Sequence, residues 1–162
     1  MPTPRAQEWV PVARLDDFPA VGATKAVGAG KSPGRMGPTG WQEGPEYIWC
    51  VVRGEPTAQE GTSEVTETVY AVDGSCRCCQ FPMTAGQYSH ADGRDALVCP
   101  CCGTRYALDT GEVLEFMPKS NPIQWATALR VGDKEPQAMA SLPTRISKSG
   151  RVYLRLPDNT ML

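Results

Sequence analysis

Short apolar runs, each broken by Gly, Pro, Asp or Asn, organise this sequence. Residues 9–14 (Trp-Val-Pro-Val-Ala-Arg) alternate loosely and read as a first strand, followed by a turn at Leu15-Asp16-Asp17-Phe18-Pro19. Residues 47–53 are apolar and β-prone, the mark of a core strand. Thr68-Val69-Tyr70-Ala71-Val72 is a strand stopped by Asp73-Gly74, and Ala96-Leu97-Val98 runs straight into Cys99. Residues 105–108 form another strand before the turn Asp109-Thr110-Gly111, and residues 112–116 alternate again. Residues 151–156 close the domain as a strand after Ser149-Gly150. The glutamate-rich stretch 55–67, with Pro56 and Gly61, reads as an exposed hairpin loop. Two stretches carry no clear period. Residues 22–45 are Gly- and Pro-rich and are expected to form a flexible insertion, and 117–141 an irregular one with room for a short helix around 123–129. Short strands between turn signals predict an all-β fold, an antiparallel sandwich or open barrel, in a single domain over 1–162.

Composition agrees with that reading and narrows the function. Gly 16 and Pro 15 favour turns over long helices. A net charge of −2, with no basic cluster, gives no nucleic-acid face. No apolar run approaches the roughly 20 residues of a membrane span. The N-terminal Met1-Pro2-Thr3-Pro4-Arg5 leads into no apolar signal core, so a cytoplasmic setting with reduced thiols is expected. Gly30-Lys31-Ser32 is not a phosphate loop: Lys25 stands where the motif needs glycine, and Pro33 interrupts the helix that should follow.

The chemistry lies in the cysteines. There are seven, and six fall in two tight clusters, Cys76-Arg77-Cys78-Cys79 and Cys99-Pro100-Cys101-Cys102-Gly103. Clustered thiols in a reducing compartment read as metal ligation rather than as a disulfide framework. Each cluster follows a strand, so two loops projecting from strand ends can close over a metal. Thiolates suit iron–sulfur clusters and zinc alike. Cys50, on its apolar strand, reads as a buried small hydrophobe. The lone His90 reads as a solvent-exposed loop residue, and Trp9, Trp41, Trp49 and Trp125 as packing residues.

At this level of detail the chain resembles the Rieske family of ferredoxins and oxygenase domains. The stretch from Val69 to Cys76 resembles the strand leading into that family's first ligand, and Pro82-Met83-Thr84-Ala85-Gly86 the turn after its first motif. Leu97-Val98-Cys99-Pro100, Cys102-Gly103, Tyr106 and Asp109-Thr110-Gly111-Glu112 resemble the second motif and its hairpin. Residues 12–19 resemble the family's opening, and 142–144 and 150–154 its last strands. The family signature is Cys-x-His followed by Cys-x-x-His; here Cys78 and Cys102 stand at the histidine positions.

The resemblance implies a Rieske-like sandwich with a two-loop metal-binding subdomain and a [2Fe–2S] cluster held by Cys76, Cys78, Cys99 and Cys102. Cys76 and Cys99 would hold the inner iron, and Cys78 and Cys102 the outer one. It implies a one-electron carrier rather than an enzyme. Such a carrier would act as a ferredoxin or a subunit of a redox complex, beside a flavoprotein reductase or terminal oxidoreductase. Four thiolates would hold the potential on the order of −300 mV or below. The chain is too short for the further mononuclear-iron domain that an oxygenase needs. In the respiratory members the residue at Cys101 forms a disulfide, but its partner position is Phe81 here. A Cys79–Cys101 bond, or ligation by either, stays open. The alternative is a structural Zn²⁺ in a Cys₄ cage, the chain serving as scaffold or assembly factor; the tight Cys-x-Cys pair favours the cluster.

Overall fold

A computed structural model describes residues 9–31, 35–42, 46–58, 61 and 63–156. The strands, in chain order, are β1 (Trp9–Arg14), β2 (Thr24–Lys31), β3 (Arg35–Gly37), β4 (Gly40–Gln42), β5 (Glu46–Arg53), β6 (Thr57–Ala58), β7 (Val65–Thr66), β8 (Val69–Asp73), β9 (Gln87–Ala91), β10 (Arg94–Val98), β11 (Arg105–Ala107) and β12 (Val113–Glu115). The helix α1 (Pro122–Val131) follows, then β13 (Ser141–Leu142), β14 (Thr144–Ile146) and β15 (Arg151–Arg155). Three antiparallel sheets do the main work: β1-β15-β14, β13-β8-β5-β2 and β12-β11-β10-β9. The small ribbons β3-β4 and β6-β7 stand outside them.

The β13-β8-β5-β2 sheet is the middle layer, and its sequence shows why. Side chains alternate across a strand. On β5, Trp49 and Val51 join Phe18, Val152 and Leu154 in one core. Cys50 and Val52 point the other way, into a second core with Leu97, Tyr106 and Leu108. On β8, Val69 and Ala71 belong to the first core and Val72 to the second. A strand buried on both faces reads as a continuous apolar run, as Trp-Cys-Val-Val does. The first core holds the sandwich together. The second fastens the β12-β11-β10-β9 sheet to it and contains Cys76, Cys78, Cys99 and Cys102.

The two stretches without a clear period carry defined elements, among them the short helix for which the sequence left room around 123–129. Thr24–Lys31, inside the stretch expected to be a flexible insertion, is a strand paired along β5, with Val27 and Ala29 buried. Its alternate positions are small (Ala26, Gly28, Gly30), so little apolar signal marks it, yet Gly28 lets the Glu46 side chain cross where a Cβ would meet it at 2.4 Å. Ser32 and Pro33, weighed in the phosphate-loop reading, lie outside the described residues. Residues 117–141, expected to be irregular, contain α1. Asn121 caps it by accepting the Gln124 backbone N–H, and Pro122 opens its first turn.

Candidate metal centre

Both cysteine clusters fold into the same turn. After β8, the Gln80 N–H donates to the Cys76 carbonyl at 2.9 Å, and the Cys76 N–H donates to the Phe81 carbonyl at 2.9 Å. Between β10 and β11, the Gly103 N–H donates to the Cys99 carbonyl at 2.9 Å, and the Cys99 N–H to the Thr104 carbonyl at 3.0 Å. The fifth residue of each turn is left-handed: Gln80 at φ 64° and Gly103 at φ 77°. The turns therefore match residue for residue, Cys76 with Cys99, Cys78 with Cys101 and Cys79 with Cys102.

Their apposition gathers four sulfurs. The Sγ atoms of Cys76, Cys79, Cys99 and Cys102 all lie within 4.8 Å of one another. Two close contacts run between the turns, Cys79 to Cys99 at 3.5 Å and Cys76 to Cys102 at 3.6 Å. Cys76, Cys99 and Cys102 are buried and Cys79 is half-buried. Of the four ligands expected from sequence, Cys76, Cys99 and Cys102 are in this group. Cys78 is not, and Cys79 takes the fourth place. The cause is local: in these closed five-residue turns the first and fourth side chains come together, and the third stands further out.

The remaining thiols lie outside that group, although the Cys78 thiol is hydrogen-bonded to that of Cys102. Cys101 Sγ lies 3.1 Å from Thr127 Oγ1 on α1, so the Cys79–Cys101 disulfide left open by the sequence is not formed. Cys78 is buried, and Lys134 Nζ holds its carbonyl oxygen at 3.0 Å. Cys50 is fully buried in the core, where desolvation pushes its thiol up to about 12. His90 lies on β9 with its Nδ1 2.6 Å from Asp95, outside the thiol group. Trp49 packs in the core, whereas Trp41 and Trp125 are exposed.

The surrounding polar groups are placed to receive negative charge. The Tyr106 hydroxyl, buried, is 3.3 Å from Cys76 Sγ and can donate to it. Thr104 Oγ1 accepts from Cys102 Sγ at 3.1 Å and from the Met117 N–H, and its own proton is free to turn to the sulfur once that thiol ionises. Hydrogen bonds from Cys102 and Cys99, helped by Tyr106, hold the Cys76 thiol far below the ordinary thiol range. Three of its neighbours resist ionisation: hydrogen bonds to Cys102 and Cys76, with burial, raise Cys99. Burial chiefly pushes Cys79 up to about 12 and Cys78 up to about 11. The protein alone thus favours the anion at Cys76 over those at Cys99, Cys79 and Cys78. Four thiolates here require a cation between them, so the donor set fits a thiophilic metal and little else.

Sequence reasoning left ligation by Cys79 open and preferred Cys78, although a further signal for Cys79 was there. Cys-Arg-Cys-Cys and Cys-Pro-Cys-Cys are one pattern written twice, and each contains a Cys-x-x-Cys pair. Alignment to the family's Cys-x-His drew attention to the third residue of the first turn instead of the fourth.

No protein-family model matches the sequence, and no curated protein matches it. Solved structures do. One, from Mycobacterium tuberculosis and described as an NADH-dependent nitrite reductase small subunit, has a TM-score of 0.56 at 16% identity. The match covers 92% of this chain and 95% of that one. A second, described as a nitrite reductase NADPH small subunit, gives 0.54 at 13% identity over 91% of this chain and 97% of its own. The third, NdmB of Pseudomonas putida CBB5, gives 0.55 at 16% identity and covers 94% of this chain but 36% of that one. At these identities the likeness is one of fold: the chain has the Rieske-type β architecture that its sequence resembles.

Proposed function

We propose that this chain is a small electron-transfer subunit of a redox complex and carries a thiolate-bound iron centre between its two cysteine turns. The observation that carries the proposal is the group of four sulfurs on a Rieske-type fold. Two structures of that fold are described as small subunits of nitrite reductases, which supports a role beside a larger catalytic partner. A flavoprotein reductase or a terminal oxidoreductase would exchange the electron. Resemblance alone makes Cys76, Cys78, Cys99 and Cys102 the ligands of a [2Fe–2S] cluster; the gathered sulfurs favour Cys79 as the fourth. Bound iron would supply the one-electron couple. The chain's own residues would supply the thiolates, and the Tyr106 and Thr104 hydroxyls would stabilise the more negative, reduced state. No described helix is long and apolar enough to cross a membrane.

A second reading has its own support. Cys76, Cys99 and Cys102 are at most 1% exposed, a closed setting of the kind structural Zn²⁺ sites adopt. Anaerobic purification, metal analysis and a visible spectrum separate the two. Stoichiometric iron whose colour bleaches on reduction and returns on oxidation supports electron transfer. A colourless protein with stoichiometric zinc, purified with and without added iron, contradicts it and leaves a structural subunit.

A further inference from the structure

We infer that the centre takes a single tetrahedral metal ion, bound by Cys76, Cys79, Cys99 and Cys102, and not a two-iron cluster. The inference rests on the metal-binding part of the reading above and is independent of its redox part.

Three observations carry it. The first is distance. One ion with metal–sulfur bonds of about 2.3 Å sets its four sulfurs about 3.8 Å apart. In a two-iron, two-sulfide cluster the irons sit in tetrahedra that share an edge. With similar bonds, the thiolates of one iron then stand about 5.3 Å or more from those of the other. All four sulfurs here lie within 4.8 Å of one another, and two contacts between the turns are 3.5 and 3.6 Å. They enclose room for one ion. The second is the equivalence of the turns. Rieske ligation is asymmetric, using the first and third residues of one loop and the first and fourth of the other. These turns close with the same pair of backbone hydrogen bonds and the same left-handed fifth residue. Equivalent turns offer equivalent ligands, the first and fourth of each. Cys78 and Cys101 are then the matching non-ligands, and Cys101 is indeed turned toward Thr127. The third is spacing. Two Cys-x-x-Cys pairs separated by residues 80–98 fall within the interval typical of single-ion Cys₄ sites.

Binding a divalent ion as a four-thiolate complex leaves a net charge of −2 and releases each ligand proton still bound, which is four from the fully protonated set. Tyr106 and Thr104 face two of those sulfurs, one on each turn.

The test uses the full-length protein. Metal and acid-labile sulfide per chain are measured as purified. Zn²⁺ affinity is then measured by chelator competition for wild type, Cys78→Ser, Cys79→Ser and Cys101→Ser, with circular dichroism reporting folding. The expected result is one metal and no sulfide per chain. Cys79→Ser should lose about 100-fold or more in Zn²⁺ affinity, at least what loss of a supporting residue costs, while Cys78→Ser and Cys101→Ser stay close to wild type. Two irons with two sulfides per chain would overturn the inference, as would metal loss in Cys78→Ser with retention in Cys79→Ser. Should a serine variant unfold, the wild-type ratio of metal to sulfide still decides. One zinc in a colourless protein sinks the electron-transfer proposal and leaves this inference standing. Two irons with sulfide do the reverse.

Discussion

The two cysteine turns close with the same backbone hydrogen bonds and differ in the side chains around them. Residues 99–103 end in Gly103, which takes its left-handed conformation without steric cost. The side chain of Gln124 lies over it, so close that a Cβ would meet Gln124 Cδ at 2.6 Å. Gln124 is itself fixed by the Ser120 N–H and hydroxyl, both donating to its Oε1. Residues 76–80 end in Gln80, a side-chain-bearing residue held left-handed, and a contact from beyond the turn is that of Lys134 Nζ with the Cys78 carbonyl. Arg77 there is tied only to Asp73, through Nε at 2.9 Å. The second turn is built into the fold by glycine, helix and threonine. The first reaches the same geometry against local preference, so bound metal must contribute more of its stability.

The comparison breaks most sharply at Gly103. Gly103→Ala should destabilise the metal-loaded protein by about 2–3 kcal/mol, from the left-handed conformation and the loss of the Ser120–Gln124 bonds. Urea unfolding checks it; a loss under 0.5 kcal/mol would mean that the second turn is not locked as described.

Next in size is the hydroxyl that serves the first turn. Tyr106→Phe removes a hydrogen bond to a charged acceptor, worth about 1.5 kcal/mol or roughly tenfold in metal affinity. If the metal is iron, the potential should also fall, by an amount on the order of tens of millivolts, because the reduced state gains more from the donor. Chelator competition and voltammetry are the readouts. An unchanged affinity would show that the phenol does not donate to Cys76.

Gln80→Gly sharpens the contrast from the other side. Relieving the left-handed glutamine should stabilise the protein by about 1 kcal/mol, more in the metal-free state than in the loaded one. Thermal unfolding of both forms tests this, and a destabilised variant would refute strain at Gln80. Smallest is Cys101→Ala, which should leave metal content unchanged and cost under about 1 kcal/mol for the contact with Thr127. Loss of metal in that variant would make Cys101 a ligand.

The same contrast explains what the sequence revealed. The core strands β5 and β8 were legible because burial on both faces writes itself as uninterrupted apolar residues at 49–52 and 69–72. The strand β2 was not, because a sheet edge built from Ala and Gly carries no apolar period; its signal lies in the partner side chains of Trp49 and Glu46 that its small residues admit, the Trp49 indole N–H donating to the Ala29 carbonyl. At the centre, residue types announced metal at once, and three of the four gathered cysteines were named. The fourth, Cys79, was left only as an alternative because Cys78 and Cys79 are neighbours in sequence, and the hydrogen bond from Gln80 back to Cys76 is what brings Cys79 to the other three. That bond depends on a left-handed glutamine, a conformation that composition does not signal.

The central claim is that two equivalent turns enclose one metal ion. X-ray absorption at the metal edge of the purified protein tests it most directly, because it reads the ligand shell without any substitution. The expected spectrum has four sulfur scatterers at about 2.3 Å and no metal neighbour. A metal–metal distance of about 2.7 Å, the separation of two ions in edge-sharing sulfur tetrahedra with such bonds, would contradict it.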